Sequence, residues 1–165
     1  YAEKRNSPRG RSDLERMVDI DSAPALAEDA VYAVAYRGQL AALEPGSGKP
    51  YWQKDLSSSA GLAVDSRLVF VSDEDGVLWA LDRFNGQVVW KDDRMKGRRL
   101  TAPVLVGRYV VVGDLEGYLH WLNTDDGRFV AQQEVDSSGL LSAPLVASDK
   151  LIIQARGGKV YAFTR

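Results

Sequence analysis

The sequence predicts an all-β protein, a β-propeller of four-stranded antiparallel blades, and three observations predict it. The first is a recurring unit in which one glycine opens a hairpin, a Leu-x-Ala-Leu-Asp type strand follows, and a second glycine closes the next turn. It runs from Gly38 through Gly48 to Trp52, from Gly76 through Gly86 to Trp90, from Gly117 to Gly127, and in shortened form from Gly158 to Thr164. The opening glycines stand 38, 41 and 41 residues apart, a period that belongs to propeller blades when the unit is made only of strands. The second observation is a β-rich apolar run ahead of each unit: Val31–Tyr36, Leu68–Val71, Tyr109–Val112 and Leu151–Ile153. These runs are continuous rather than alternating, as expected of strands covered on both faces. The third is a small-residue turn ahead of each run: Ser22-Ala23-Pro24, Thr101-Ala102-Pro103 and Ser142-Ala143-Pro144, with Ser59-Ala60-Gly61 as the departing copy. Proline has no N–H to give a ladder, so it suits the start of a strand and not its middle.

Taken in order, residues 1–18 fall outside the repeat, as the tail of a preceding blade and a polar basic loop, Lys4 to Asp13, broken by Pro8 and Gly10. Blades are then expected over 19–58, 59–97 and 98–138, with an incomplete last blade over 139–165 that a strand from elsewhere would close. All belong to one propeller domain. Gly48, Gly86 and Gly127 supply the positive φ that ends a hairpin loop. Trp52 and Trp90 lie four residues beyond their glycines, where a large ring can bridge to the next blade. The third copy has Ala131 there, so that seam is expected to be weaker or filled by a neighbour such as Phe129. Trp79 and Trp121, on the third strands, read as packing residues.

Composition excludes several classes. With 165 residues, 45% hydrophobic, the chain can bury a sizeable core, and a net charge of −2 offers no global field for nucleic acid. There is no cysteine, hence no disulfide or thiolate metal site, and the single histidine, His120, removes His-based metal clusters and reads as structural. Asp73-Glu-Asp-Gly76 and Asp114-Leu-Glu-Gly117 look superficially like calcium loops, but they lack the later acidic ligand and the flanking helices, and hairpin turn chemistry explains them. The basic stretch Arg94–Arg99 reads as a solvated loop between blades, with binding of an acidic partner as the alternative. No cofactor and no catalytic or metal-binding residue is expected.

One constellation departs from the repeat. Counted back from the shared proline, Asp19 corresponds to Arg98 and Gly139, and Asp21 to Leu100 and Leu141, so the scaffold does not demand acid at these places. Two carboxylates at i and i+2 share a face of an extended strand and repel each other unless exposed or matched by a donor. A turn cap, or local pairing with Arg16, is as good a reading from the residues alone.

The run Gly113 to Gln133, together with Val135-Asp-Ser-Ser-Gly139, Ile153-Gln-Ala-Arg156 and the ending from Val160 to Arg165, closely resembles the BamB family of outer-membrane assembly lipoproteins. The similarity extends over the whole chain. It implies an eight-bladed propeller of the quinoprotein type, of which this chain holds about half. It also implies a lipid-anchored protein on the periplasmic face of the bacterial outer membrane, the N-terminal lipid lying outside this chain. The family is a non-enzymatic scaffold of the β-barrel assembly machinery that binds the POTRA domains of BamA, alongside other subunits of the machinery. Unfolded barrel precursors, reached by strand addition, are a further expected partner. The resemblance implies Asp19 and Asp21 as partner-binding residues, since family members use Asp-x-Asp there. Two alternatives are a quinone-dependent dehydrogenase, which would show a spectral change with added quinone and calcium, and a stand-alone ligand-binding propeller, which would be stable and monomeric by itself.

Overall fold

The fold is described by a computed structural model over residues 22–164. It contains fifteen strands, and no helix occurs among the described residues. Four sheets follow one another along the chain. The first is β1 (Ala25–Leu26), β2 (Val31–Val34), β3 (Gln39–Leu43) and β4 (Pro50–Asp55); the second is β5 (Leu62–Val64), β6 (Leu68–Ser72), β7 (Leu78–Asp82) and β8 (Val88–Asp92). The third is β9 (Val104–Val106), β10 (Tyr109–Gly113), β11 (Tyr118–Asn123) and β12 (Phe129–Glu134); the fourth is β13 (Leu145–Ala147), β14 (Lys150–Gln154) and β15 (Val160–Thr164). Each is an antiparallel meander in sequence order, four-stranded in the first three and three-stranded in the fourth among the described residues. The innermost strands touch in succession, β1 to β5, β5 to β9 and β9 to β13, so the sheets are packed as propeller blades.

The core lies in the seams between sheets, and the period-two geometry of a strand explains why the apolar runs are continuous. In β6, which is buried throughout, Val69 and Val71 enter the first seam while Leu68 and Phe70 enter the second. In β10, Val110 and Val112 face the second seam and Val111 the third. A polar residue at either parity would lie in a core. The outer strands are wetter: β12 is exposed from Val130 to Gln133.

Between the third and fourth strands the register slips in each four-stranded sheet, at Ala42/Leu43, Ala80/Leu81 and Trp121/Leu122. Such a bulge re-aims side chains, and it corrects the expectation for Phe129. The slip sets Phe129 opposite Leu122, so its ring packs into the second seam and leaves the third to Trp121, Tyr161 and Phe163. The run expected over Val31–Tyr36 also ends sooner, because Tyr36 and Arg37 form the hairpin turn, Arg37 with φ 52.

The entries to the blades converge. Pro24, Pro103 and Pro144 each stand immediately before the innermost strand of their sheet. At Gly61 a Cβ would lie 3.3 Å from the Cβ atoms of both Ala102 and Ser22, and its φ is 120. That φ, which proline's ring forbids, is the reason the second copy carries glycine where the others carry proline, and the two nearby Cβ atoms leave little room for any side chain.

Candidate functional site

The tryptophan seams fix the blades that carry the inter-blade connections. The Trp52 indole N–H donates to the Arg83 carbonyl of the next sheet at 2.8 Å, and the Trp90 N–H donates to the Thr124 carbonyl at 2.8 Å. Each ring lies over the glycine of that neighbouring turn: a Cβ on Gly86 would sit 2.6 Å from Trp52, and one on Gly127 would sit 2.6 Å from Trp90. Gly48, Gly86 and Gly127 have φ of 68, 72 and 67. Tyr32 tilts against Trp52 and Phe70 against Trp90, so the two seams repeat one arrangement.

The two aspartate hairpins are occupied by their own turns. Asp73 Oδ1 accepts from the N–H groups of Asp75 and Val77, and Oδ2 accepts from the Trp79 indole at 2.6 Å. Asp114 repeats the pattern one blade on: Oδ1 accepts from the Tyr118 N–H at 2.9 Å, and Oδ2 bonds His120 Nε2 at 2.7 Å. His120 thus stands where the preceding blade has Trp79, a ring N–H six residues after the turn aspartate. Arg98 adds a 2.9 Å bond to the same oxygen of Asp114 and a second pair to Glu116. Burial alone would raise the Asp114 pKa, but the bonds from His120, Tyr118 and Arg98 outweigh it and hold the carboxyl at about 2. Hydrogen bonding to Asp114 raises the pKa of Arg98 in turn.

The stretch Arg94–Arg99 departs from the expectation of a merely solvated loop. Arg94 Nε donates to the buried Asp92 at 2.9 Å, Met95 is 2% exposed in the second seam, and Arg98 closes over Asp114. The physical reason is that two buried carboxylates need cations, and this connection delivers them. In the connection from the third sheet to the fourth, Asp136 accepts from Tyr161 of β15 at 2.6 Å and from the Ser138 N–H; the Ser138 and Tyr161 bonds hold its carboxyl well below the usual carboxylate range.

Asp19 and Asp21 lie outside the described residues. The equivalent repeat positions in the later blades are Arg98 and Leu100, ahead of β9, and Gly139 and Leu141, ahead of β13. Among the described residues, the connections entering the second, third and fourth sheets line one recess. Among the described residues no group of three or more His, Cys, Asp or Glu could hold a metal ion. The sequence signal for the hairpin carboxylates Asp73 and Asp114 was an Asp-x-x-Gly turn followed by an N–H-bearing ring, which is specific only once Trp79 and His120 are seen in equivalent places.

A family model described as outer membrane protein assembly factor BamB matches residues 3–92 and 93–165. The chain is 51% identical over 156 residues to outer membrane protein assembly factor BamB of Yersinia pestis, covering 94% of this chain and 40% of that protein. It is 43% identical to the protein of the same name in Escherichia coli K12, with the same coverage. The chain thus spans about 40% of the length of these curated relatives. The crystal structure of BamB from Moraxella catarrhalis superimposes with a TM-score of 0.84 at 30% identity, over 94% of this chain and 46% of that one. A quinohemoprotein alcohol dehydrogenase from Comamonas testosteroni, 17% identical with a TM-score of 0.65 over 79% of this chain and 28% of that one, shares the fold alone.

Proposed function

The chain belongs to the outer membrane protein assembly factor BamB family, and from that membership we propose that it forms about half of an eight-bladed scaffold of the β-barrel assembly machinery. In this reading it binds the POTRA domains of BamA and supports the folding and insertion of outer-membrane proteins. It works at the periplasmic face of the outer membrane, tethered by a lipid outside this chain. The observation that carries the reading is identity of 43–51% with assembly factors over 94% of the chain.

The physics of the fold suits such a role. Blades locked by indole-to-carbonyl bonds form a stiff platform, and the connections at one end present charged residues without the ordering cost of a flexible loop. Asp19 and Asp21 are the proposed contact, a pair of carboxylates that a partner arginine or backbone donors can match. The turn carboxylates Asp73 and Asp114 are committed to their own hairpins, so they support packing rather than a reaction centre. The shared fold is all that connects the chain with the dehydrogenases.

The test is a titration of the full-length protein with a soluble POTRA fragment of BamA. Replacing both Asp19 and Asp21 by Ala should weaken binding by about tenfold or more, since removing one side of a matched charge pair leaves the partner's group unpaired. The circular dichroism spectrum should stay unchanged. Wild-type affinity in the double variant would refute the assignment of these two residues.

A further inference from the structure

A recess at the end where the connections gather has features that the scaffold does not require. It encloses about 310 Å³ and is walled by the connections entering the second, third and fourth sheets, with the β6–β7 hairpin on one side. By repeat position Arg99 corresponds to Leu140, and Leu100 to Leu141. Leu100 is 7% exposed in the second seam and Leu140 is 1% exposed in the third, so the residue that turns inward differs by one place between the two sheets. The backbone gives the reason: the left-handed residue is Arg99 itself (φ 53) in the third sheet, but Gly139 (φ 96), one place earlier, in the fourth. Arg99, Leu100, Leu140 and Leu141 all line the recess, and the residue left over in each sheet is the exposed one: Leu141 is 57% exposed, and Arg99 is exposed on the same recess.

Arg99 differs from its neighbours in charge pairing. Arg94, Lys96 and Arg98 each meet a carboxylate, whereas Arg99 makes no ion pair among the described residues. The acidic groups on the facing wall are already engaged: both oxygens of Asp73 serve its hairpin, and Glu74 accepts the Ser59 N–H at 2.5 Å. A guanidinium held in an unfavourable backbone conformation, next to an uncovered leucine, is a place where an incoming carboxylate gains a forked pair.

We propose that this recess is a second contact for the partner of the Asp19–Asp21 connection, and that it receives a partner loop carrying a carboxylate beside an apolar side chain. The carboxylate pairs with Arg99, and the apolar side chain covers Leu141. The proposal rests on the POTRA-binding reading and deepens it. Arg99, without an ion pair among the described residues, gives the recess a positive charge, and with the proposed acidic pair at Asp19 and Asp21 it would fix how the partner lies across the surface.

The experiment compares four full-length proteins, wild type, Arg99→Glu, Leu141→Asp and the Asp19→Ala/Asp21→Ala double variant, against the soluble POTRA fragment at two salt concentrations. All should keep the wild-type unfolding midpoint, because Arg99 and Leu141 are exposed. Arg99→Glu should weaken binding by about tenfold at low salt and by less at high salt, with Arg99→Lys retaining part of the affinity. Leu141→Asp should weaken it as well, through the lost apolar contact and through repulsion of the partner's carboxylate, and only the second part should shrink at high salt. If both recess variants bind within twofold of wild type while the acid-pair variant is impaired, the second contact is overturned and the POTRA reading stands. If wild type itself does not bind the fragment, the reading beneath the proposal fails.

Discussion

At the scale of single residues, Asp114 shows how a turn aspartate becomes a core element. Its side chain is fully buried, and the bonds from His120, Tyr118 and Arg98 more than offset that burial, leaving the carboxyl at about 2. A folded pKa depressed below the ordinary 3.8 adds stability that is present above the unfolded value and is lost as pH falls through the folded one. The drop from 3.8 to about 2 corresponds to roughly 2 kcal/mol at neutral pH. Asp114→Asn should therefore lower the unfolding free energy by about that amount at pH 7, and denaturant titrations should show the gap closing between pH 4 and pH 2. A gap independent of pH would mean that the charge itself is not what stabilises. His120 was legible as structural because a lone histidine builds no cluster. Its aspartate partner became visible only when the hairpin closed.

At the scale of elements, each wedge is one tryptophan on an outer strand and one glycine turn in the next sheet. Trp90 is half-buried and donates to Thr124, so Trp90→Ala should cost about 3 kcal/mol through lost packing and an orphaned carbonyl. Gly127→Ala should also destabilise, since its Cβ would meet the indole at 2.6 Å with φ at 67. Because the two residues share one contact, the double variant should be less destabilised than the sum, and a double-mutant cycle by chemical denaturation measures that coupling. Additive costs would separate ring and glycine. Gly86 and Gly127 were readable as turn glycines from spacing. That each also leaves room for a ring from another sheet was not, because the ring belongs to a different repeat. The displacement of Phe129 into the second seam has the same origin: a one-residue bulge changes the face, and no residue type in β12 marks it.

At the scale of the whole molecule, the layers run outward from the axis, and stability should follow them. β6 and β10 are buried on both faces, while the outer strands carry exposed residues such as Val89, Val130 and Tyr51. Hydrogen exchange should therefore be slowest in β6 and β10 and fastest in β4, β8 and β12; uniform protection across a blade would contradict a seam-based core. The repeat, the strand order within each blade and the turn glycines follow from the sequence alone, because they depend on contacts between residues close in the chain and on the two-residue period of a strand. The family is legible there too, in the run from Gly113 to Gln133. What only the tertiary structure decided is whatever joins one blade to the next: the glycine at 61, the carboxylates neutralised by the Arg94–Arg99 connection, and the recess where Arg99 and Leu141 are left facing out. Gly61 meets Ser22 and Ala102, and Arg99 shares its recess with Leu141, each pair some forty residues apart, while Arg98 reaches Asp114 sixteen residues on; a local pattern carries no record of which face a neighbouring sheet will present.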